Sequence, residues 1–483
     1  MFIAKHFPAL QVLIPFLGAL LSALSFNRFA AWAISTLSAI ATLIISIQAY
    51  SYISESVSYS FGGWQAPVGI EYRIDILNQP IIIFINAILA FFLVFGKELI
   101  NLTVTKYIED NRQHIFYSLL LFAHSGYLGV VSTNDLFNIY VFIEISSLAT
   151  YVLMSKGKTP SALVGAFDYL VMGTIGATLI LIGIGFLLAL TGSLNITDVA
   201  SILSKQGTSR VATTAIVFFL SGAILKMAFF PMHFWMIRSY SSAAPFILTY
   251  LASISSILGV YIILRFLHFT IDGDNIQAAL TFILRPVAMA TIFICTLLAL
   301  RARDLKQVMI YSTASQIGYI FLLITILPAR RLLFQLLIMD AINKIALFTI
   351  ITHIQIKAKS LNFKNFAAIE GGVLFKTLVA FSLIFSAGLP MTSMFVVKVK
   401  MLDLLISKDL ITAFIITLLG SVFGLLYHLR LTKALFFGTK DNGVIKIEAK
   451  LYGLVAIVVF QILTMVYIND LTTLAGYSES ILY

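Results

Sequence analysis

Two ionisable side chains, Lys226 and Glu144, lie inside long apolar runs of the chain, at residues 211–231 and 136–153. A charge at the depth of a bilayer costs roughly 2.5–3.5 kcal/mol even on the lenient insertion scale. Residues that bear this cost usually mark an ion or proton route and have a partner nearby. The alternative is a buried charge pair with a structural role only.

The composition explains why these runs are so apolar. Of the 483 residues, 60% are hydrophobic and only 11% are charged, whereas soluble domains carry about 25% charged residues. The sequence therefore predicts a polytopic membrane protein. Its net charge of +11 fits cationic loops on one membrane side and gives no reason to expect a nucleic-acid partner.

Cofactor chemistry finds little support in the sequence. The single cysteine, Cys295, lies within an apolar run, which excludes disulfides and cysteine-ligated clusters. No loop has a glycine-rich phosphate cradle or a redox-cofactor fingerprint. We expect neither a cofactor nor a resident metal.

Apolar runs long enough to cross the hydrocarbon, about 20 residues each, predict an all-α protein with about fourteen transmembrane helices. The runs are 8–25, 29–50, 76–95, 115–132, 135–154, 162–190, 211–231, 244–268, 278–300, 307–327, 331–353, 373–400, 402–437 and 451–470. The loops between them are short, which leaves no room for an extramembrane domain.

Lysine and arginine are concentrated in the odd-numbered loops, among them Arg301, Arg303 and Lys306, whereas the even-numbered loops are richer in acids. Arg330 and Arg331 are the main exceptions. The positive-inside rule then places the odd loops in the cytoplasm of a bacterial cell and both chain termini outside the inner membrane.

Proline interrupts two of the predicted spans, the seventh at Pro231 and the twelfth at Pro390, and each break has a lysine a turn or two away. Matched broken helices five spans apart indicate two inverted five-helix repeats, spans 4–8 and 9–13. The alternative is that the prolines merely kink helices for packing. With the repeats, the chain divides into residues 1–112 (spans 1–3), 113–270 (first repeat), 271–437 (second repeat) and 438–483 (last span).

Four segments, 135–144, 226–235, 304–319 and 388–398, together resemble motifs of one family. These are the antiporter-like subunits shared by Mrp-type multisubunit Na+/H+ antiporters and the membrane arm of respiratory complex I. The sequence of residues 340–348 is most similar to that of the D-type subunit of the Mrp antiporter.

The resemblance implies a row of buried protonatable groups along the membrane midplane. Glu144 and Lys226 would form a switchable pair, Lys344 an inner relay, and Lys398 the terminal group facing the outside half-channel. His233 would either carry protons or orient a neighbour. The implied partners are other membrane subunits, protons, Na+ and lipid.

The chain departs from the family pattern at four motif positions. Ile257 stands where relatives usually carry a lysine, Asp168 replaces another lysine, Arg238 falls in a segment where relatives have an acid, and Met394 replaces a glycine. Three functions therefore stay open: a cation/proton antiporter subunit, a proton-pumping subunit of an NADH:quinone oxidoreductase-like complex, or a diverged, non-conducting assembly subunit.

Overall fold

A computed structural model shows how the chain folds. It describes residues 2–50, 56–157, 160–206, 209–270, 274–326, 330–357, 361–363, 369–370, 372–437, 445–446 and 451–474. These residues form long helices, two short strand pairs and two single 3-10 turns. They fall into unit 1 (Met1–Lys97, Tyr107–Met227 and Ile257–Leu280) and unit 2 (Glu98–Lys106, Ala228–Ser256 and Thr281–Tyr483).

The helices in chain order are α1 (Phe2–Leu24), α2 (Arg28–Tyr50), α3 (Gln79–Phe95), α4 (Lys97–Tyr107), α5 (Gln113–Ser132), α6 (Leu136–Met154), α7 (Pro160–Thr191), α8 (Ile196–Gln206), α9 (Arg210–Lys226), α10 (Phe234–Ser242), α11 (Pro245–Thr270), α12 (Asp274–Arg301), α13 (Leu305–Ile324), α14 (Arg330–Lys357), α15 (Gly372–Ala387), α16 (Ser393–Ser407), α17 (Ile411–Phe437) and α18 (Tyr452–Leu474). The expected helical membrane architecture is confirmed at this level.

Strand pairing occupies little of the chain. β1 (Ser56–Ser60) and β2 (Glu71–Asp75) form an antiparallel hairpin in which Ser56 pairs with Asp75. β3 (Ile369–Glu370) and β4 (Ile445–Lys446) form a two-residue parallel pair. The sequence prediction did not include the hairpin, which lies in unit 1 between α2 and α3.

Among the described residues, ten helices are each long and apolar enough to cross a membrane: α1, α2, α5, α6, α7, α11, α12, α13, α14 and α17. The other four predicted spans contain α3, α9 and α15, each of 16 or 17 residues, and α18, of which Tyr452–Tyr467 form a shorter apolar stretch. Multiple apolar helices of this kind make the chain an integral, multi-pass membrane protein, and exposed side chains such as Leu37 and Ile44 are suited to lipid contact.

The seventh and twelfth predicted spans are interrupted at their prolines, whereas α12 continues through Pro286. α9 ends at Lys226 and α10 begins only at Phe234, with Ala228 at φ 56° inside the break. α15 ends at Ala387, and Gly388 at φ 74° and Met391 at φ 79° carry the chain to α16. Proline removes a helix donor and clashes with the preceding turn, which ends a regular helix.

Several boundaries differ from the sequence prediction. The twelfth predicted span continues through α16 to Ser407, and the thirteenth begins at Ile411 instead of residue 402. α4 and α8 were not predicted, because each has only eleven residues and a polar composition. Cys295 lies in α12, and its side chain is fully buried.

One residue taken for a loop cation belongs to the interior. Lys306 is 2% exposed in the first turn of α13, and its Nζ donates hydrogen bonds to the carbonyls of Ser241, at 3.0 Å, and Ala243, at 2.9 Å. These carbonyls close the C-terminal end of α10, whose partial negative charge favours an ammonium group. Lys306 therefore anchors a helix end within unit 2.

Candidate functional site

Glu144 and Lys226 meet within unit 1. Asp135 caps α6 by accepting a hydrogen bond from the Asn138 amide at 2.7 Å, and Glu144 follows in the third turn. The Nζ of Lys226 lies 4.0 Å from the Oε1 of Glu144. Both side chains are mostly buried, with 17% and 21% of their surface exposed.

The contact between these two charges is loose. Lys226 donates its hydrogen bond to the Oγ of Ser147, at 3.0 Å, and the Oε1 of Glu144 is buried without a hydrogen-bond partner among the described residues. Since Ser147 follows Glu144 by three positions, both side chains lie on one face of α6. The ammonium group thus has two acceptors about one helical turn apart.

The helix end also favours the ammonium group. Lys226 is the last residue of α9, and the amide of Met227 bonds back to the Ala223 carbonyl before the chain leaves the helix. The carbonyls of a helix C-terminus carry a partial negative charge worth about 0.3–1 kcal/mol to a cation at an exposed site, and more in partly buried geometries. The helix break therefore places Lys226 at the C-terminal end of α9.

Glycines set the distance between α7 and α9. A Cβ built on Gly222 would lie 2.3 Å from the carbonyl oxygen of Gly176, and one built on Gly176 would lie 3.0 Å from the Cγ of Lys226. Backbones can approach this closely only without side chains, as in other membrane helix pairs. The stem of Lys226 is consequently held against α7.

Lys344 lies in unit 2 on α14, where it forms a salt bridge with Asp340 one turn earlier on the same helix; the two side chains are 4% and 2% exposed. Its Nζ also donates a hydrogen bond to the Oγ of Ser256, at 3.0 Å. Ser256 directly precedes Ile257, which is buried and apolar at the position where the family usually has a lysine. The sequence prediction assigned no role to Asp340.

A cavity adjoins this pair. It is lined by Met309, Ser312, Thr313, Gln316, Asp340, Asn343, Lys344, Leu347, Phe348 and Ser386. Its water-accessible space is about 20 Å³, and a cavity needs about 10–15 Å³ to hold one water. Seven of its ten lining residues are polar or charged, which is unusual inside an apolar helix bundle.

Lys398 is buried in α16, with 7% of its surface exposed. Its Nζ lies 5.4 Å from the centre of the Tyr319 ring, within cation–π range. A Cβ built on Gly388, in the helix break, would lie 3.6 Å from the Cδ of Lys398. No ion pair or hydrogen bond of Lys398 is found among the described residues, and its neighbours of polar character include the Tyr319 ring and the His428 side chain.

His233 occupies the last position of the seventh-span break, next to α10, and is 1% exposed. Its ring lies 4.5 Å from the Phe234 ring and 5.6 Å from the Phe230 ring, measured between centroids. Both of its ring nitrogens are buried without a hydrogen-bond partner among the described residues, so its contacts favour neither of the two predicted roles.

The five predicted site residues thus divide between the two units. Glu144 and Lys226 contact each other in unit 1, and His233, Lys344 and Lys398 lie in unit 2 without a described ion pair or hydrogen bond among them. Sequence reasoning missed Ser147 and Asp340 as partners of the lysines. The four-residue spacing of Asp340 and Lys344, which helix geometry brings together, was the available signal for the second.

A further charged cluster was missed entirely. Arg265 on α11 is fully buried, and its Nη1 lies 2.5 Å from the Oδ2 of Asp75 at the end of β2. Its Nη2 donates to the Asn134 side chain at 3.1 Å. Nearby, Glu71 accepts hydrogen bonds from Asn134 and Asn195. The cluster ties the hairpin to the helices of unit 1.

The helices, the two interrupted spans and the buried lysine–carboxylate pairs define a multi-pass membrane protein with ionisable groups in its interior. The family described as NADH:quinone oxidoreductase/Mrp antiporter, transmembrane, matches residues 133–424. The chain belongs to this family of antiporter-like, proton-translocating subunits.

Two curated relatives match this chain over part of their length. NADH-quinone oxidoreductase subunit N of Desulforudis audaxviator is 35% identical over 324 residues, which are 66% of this chain and 63% of that protein. The D-type subunit of the Na+/H+ antiporter of Alkalihalophilus pseudofirmus is 27% identical over 317 residues, 64% and 62% of the two chains. The matches span less than two thirds of these relatives.

Solved structures extend the likeness of the fold over the whole chain. A chain of the archaeal membrane-bound sulfane sulfur reductase matches with a TM-score of 0.87 and 22% identity, covering 99% of this chain and 96% of that one. A chain of the Mrp complex from Dietzia sp. matches with a TM-score of 0.87 and 19% identity, covering 100% and 98%. Both neighbours come from membrane complexes.

Proposed function

We propose that this chain is the proton-translocating subunit of a multisubunit monovalent cation (Na+)/proton antiporter. The observation that carries the proposal is the loose Glu144–Lys226 pair, with nitrogen and oxygen 4.0 Å apart. An ion pair that is not locked by a hydrogen bond can open and close through a small side-chain movement. Opening and closing changes how tightly each group holds its proton.

In this proposal the proton route continues through unit 2. Lys344 acts as an inner relay and Lys398 as the terminal group facing the outside half-channel. The burial of both lysines supports this role, because a compact ammonium changes its proton affinity readily when buried. His233 either takes part in transfer or orients a neighbour.

The proposed architecture has fourteen spans, with inverted five-helix repeats at spans 4–8 and 9–13 and the four segments 1–112, 113–270, 271–437 and 438–483. Each predicted span contains a helix, and the two helix breaks fall in spans 7 and 12, which supports it. We place both termini outside a bacterial inner membrane, on the positive-inside rule.

The chain would work with other membrane subunits of an Mrp-like assembly, in contact with lipid. Its likeness to a chain of the Mrp complex over its full length supports this view. Redox chemistry would not belong to the chain itself.

A second candidate is a proton-pumping membrane-arm subunit of an NADH:quinone oxidoreductase-like complex. The 35% identity with a subunit N favours it. A diverged, non-conducting assembly subunit is the third, and Ile257 favours it because isoleucine cannot carry a proton at that position.

The first test is the substitution Glu144→Gln in the assembled complex, assayed as Na+-driven proton movement in everted membrane vesicles. We expect transport to be lost while the complex still assembles, because the amide cannot exchange protons. Glu109→Gln, in an exposed surface pair, is the matched control. Unchanged transport in Glu144→Gln would leave only the assembly role.

Gentle extraction of the tagged chain followed by mass spectrometry separates the first two candidates. Small membrane subunits without redox proteins support the antiporter. Co-purifying flavin and iron–sulfur subunits would move the chain to a respiratory complex.

A further inference from the structure

The cavity beside Asp340 and Lys344 is rich in oxygen atoms whose lone pairs are free. The Thr313 hydroxyl donates its proton to the Met309 carbonyl, and the Ser386 hydroxyl donates to the Ser382 carbonyl. A hydroxyl that donates its proton to the backbone can act only as an acceptor toward the cavity.

The Oε1 of Gln316 is a further acceptor. It is buried without a hydrogen-bond partner among the described residues, and Gln316 is only 8% exposed. The Ser312 oxygen accepts a hydrogen bond from the Tyr427 phenol at 2.8 Å and keeps one proton to donate, and the Nδ2 of Asn343, on the same lining, is a donor without a partner in the described part of the chain. Together with Asp340, the acceptor oxygens of Thr313, Ser386 and Gln316 surround a space that can hold one water or one small ion.

We propose that this cavity is a monovalent cation site, at which Na+ competes with the Lys344 ammonium for the Asp340 carboxylate. The ligands would be Asp340, Gln316 and the hydroxyl oxygens of Ser312, Thr313 and Ser386. Hard cations take oxygen ligands of these kinds. The role of this site in transport rests on the proposed function, because the site would hold the exchanged cation. The existence of the site is tested by binding alone.

The exchange balances in charge. With Lys344 protonated, the ammonium neutralises Asp340 and the site is neutral. With Na+ bound, the cation takes over that neutralisation, Lys344 becomes a neutral amine, and its proton leaves for the solvent. One Na+ binds for each proton released, so the buried site is never left with an uncompensated charge.

Asp340 is the only ionised group that meets Lys344 among the described residues. α11 contributes the Ser256 hydroxyl, α13 contributes Ser312 and Gln316, and α15 contributes Ser386, none of which titrates near neutral pH. Of the charged residues of α16, Lys398, Lys400 and Asp403, none lines the cavity, and the buried Lys398 lies against Tyr319. From α18, the Gln461 amide reaches Asn343. The exchange is thus controlled by one lysine.

Equilibrium binding of radioactive Na+ to the purified full chain in detergent, at a series of pH values with choline as the ionic-strength control, tests the site. We expect saturable binding that strengthens with pH by up to about tenfold per unit, because one proton is exchanged per ion. Wild-type protein that binds no Na+ at any pH would overturn the proposal.

Two variants separate the roles of the pair. Asp340→Asn should abolish binding. Lys344→Gln should keep binding but move its pH dependence to lower pH, because the proton that Na+ displaces then comes from the buried Asp340 carboxyl itself. Normal binding in Asp340→Asn contradicts the proposal, as does an unshifted pH dependence or a loss of binding in folded Lys344→Gln.

A neutral ligand provides a milder test should the charge variants fail to fold. Gln316→Leu should weaken Na+ binding by about tenfold with an unaltered pH slope, as expected for one lost buried oxygen ligand. Ser315→Ala, a buried neighbour outside the cavity lining, is the control and should bind as wild type. Unaltered affinity in Gln316→Leu contradicts the site. Neither result depends on proton flux, so these experiments test the cation site independently of the proposed transport role of Glu144.

Discussion

The Nζ of Lys226 lies 3.0 Å from the Oγ of Ser147 but 4.0 Å from the Oε1 of Glu144. The neutral hydroxyl holds the ammonium group in a position where its charged partner is near but not bonded. The hydrogen bond to Ser147 therefore competes with direct ion-pair contact between Lys226 and Glu144.

Replacing Ser147 with Ala should let Lys226 close onto Glu144 and so slow the opening step. One lost hydrogen bond of about 1 kcal/mol corresponds to about a fivefold lower transport rate. The rate of Na+-driven proton movement in vesicles measures this. Ser146→Ala is the control, because the Ser146 hydroxyl donates to the Ile143 carbonyl of its own helix, and an equal loss in both variants would contradict the idea.

The close packing of α7 on α9 can be tested at Gly222. In Gly222→Ala the added methyl group would meet the Gly176 carbonyl at 2.3 Å, so α9 must shift and carry Lys226 with it. We expect most transport to be lost while assembly, followed by co-purification, persists.

Gly185→Ala on α7 provides the comparison, since a Cβ there has no neighbour within 4 Å. This change should leave transport intact and stabilise the helix by up to about 1 kcal/mol. Wild-type transport in Gly222→Ala would show that the position of Lys226 does not depend on this contact.

Breaking the Arg265–Asp75 pair should destabilise the protein strongly. Arg265→Met leaves the Asp75 carboxylate buried without its partner, which typically costs about 3–5 kcal/mol. The apparent melting temperature in detergent reports this loss.

The double variant Arg265→Met/Asp75→Asn should recover part of the stability, because no buried charge is left unpaired. Arg112→Gln, in a pair whose side chains are 59% and 71% exposed, should hardly change the melting temperature. A single variant as stable as wild type would show that the cluster contributes no net stability.

The carboxyl group of Glu71, which lies outside the membrane-spanning helices, should make the stability of the protein depend on pH. Burial alone would raise the pKa of this carboxyl, but hydrogen bonds from Ser58, Asn134 and Asn195 outweigh it and lower the pKa from the usual 4.5. A lowered folded-state pKa stabilises the protein above the unfolded value, and this contribution is lost as pH falls through the folded value.

The melting temperature should consequently fall less steeply below pH 4.5 in Glu71→Gln than in wild type. At neutral pH the variant should melt lower than wild type, since the ionised carboxylate is the better acceptor. Parallel acid profiles for the two proteins would contradict this assignment.

Much of the fold could be predicted because apolar runs of span length leave few choices for the backbone in a bilayer. Glu144 and Lys226 stood out for the same reason, as charges in runs that otherwise had none. The helix breaks at Pro231 and Pro390 were predicted from proline together with a nearby lysine, because proline alone is no guide: Pro286 lies inside the continuous helix α12.

Other features depended on contacts that no local pattern encodes. Arg265 lies near the end of an apolar run and looks like an ordinary span-end cation, yet its partner Asp75 is 190 residues away in the chain. Lys306 follows two loop arginines and was grouped with them. Only the packing of α13 against the end of α10 shows that its ammonium is buried.

The buried position of Cys295 makes the chain well suited to chemical mapping of its orientation. A membrane-impermeant maleimide should find no native thiol, so a cysteine introduced at one site reports on that site alone. Trp64 in the hairpin loop and Phe26 between α1 and α2 are 68% and 80% exposed. If the termini lie outside, Trp64→Cys is labelled on intact cells and Phe26→Cys only after the cells are opened.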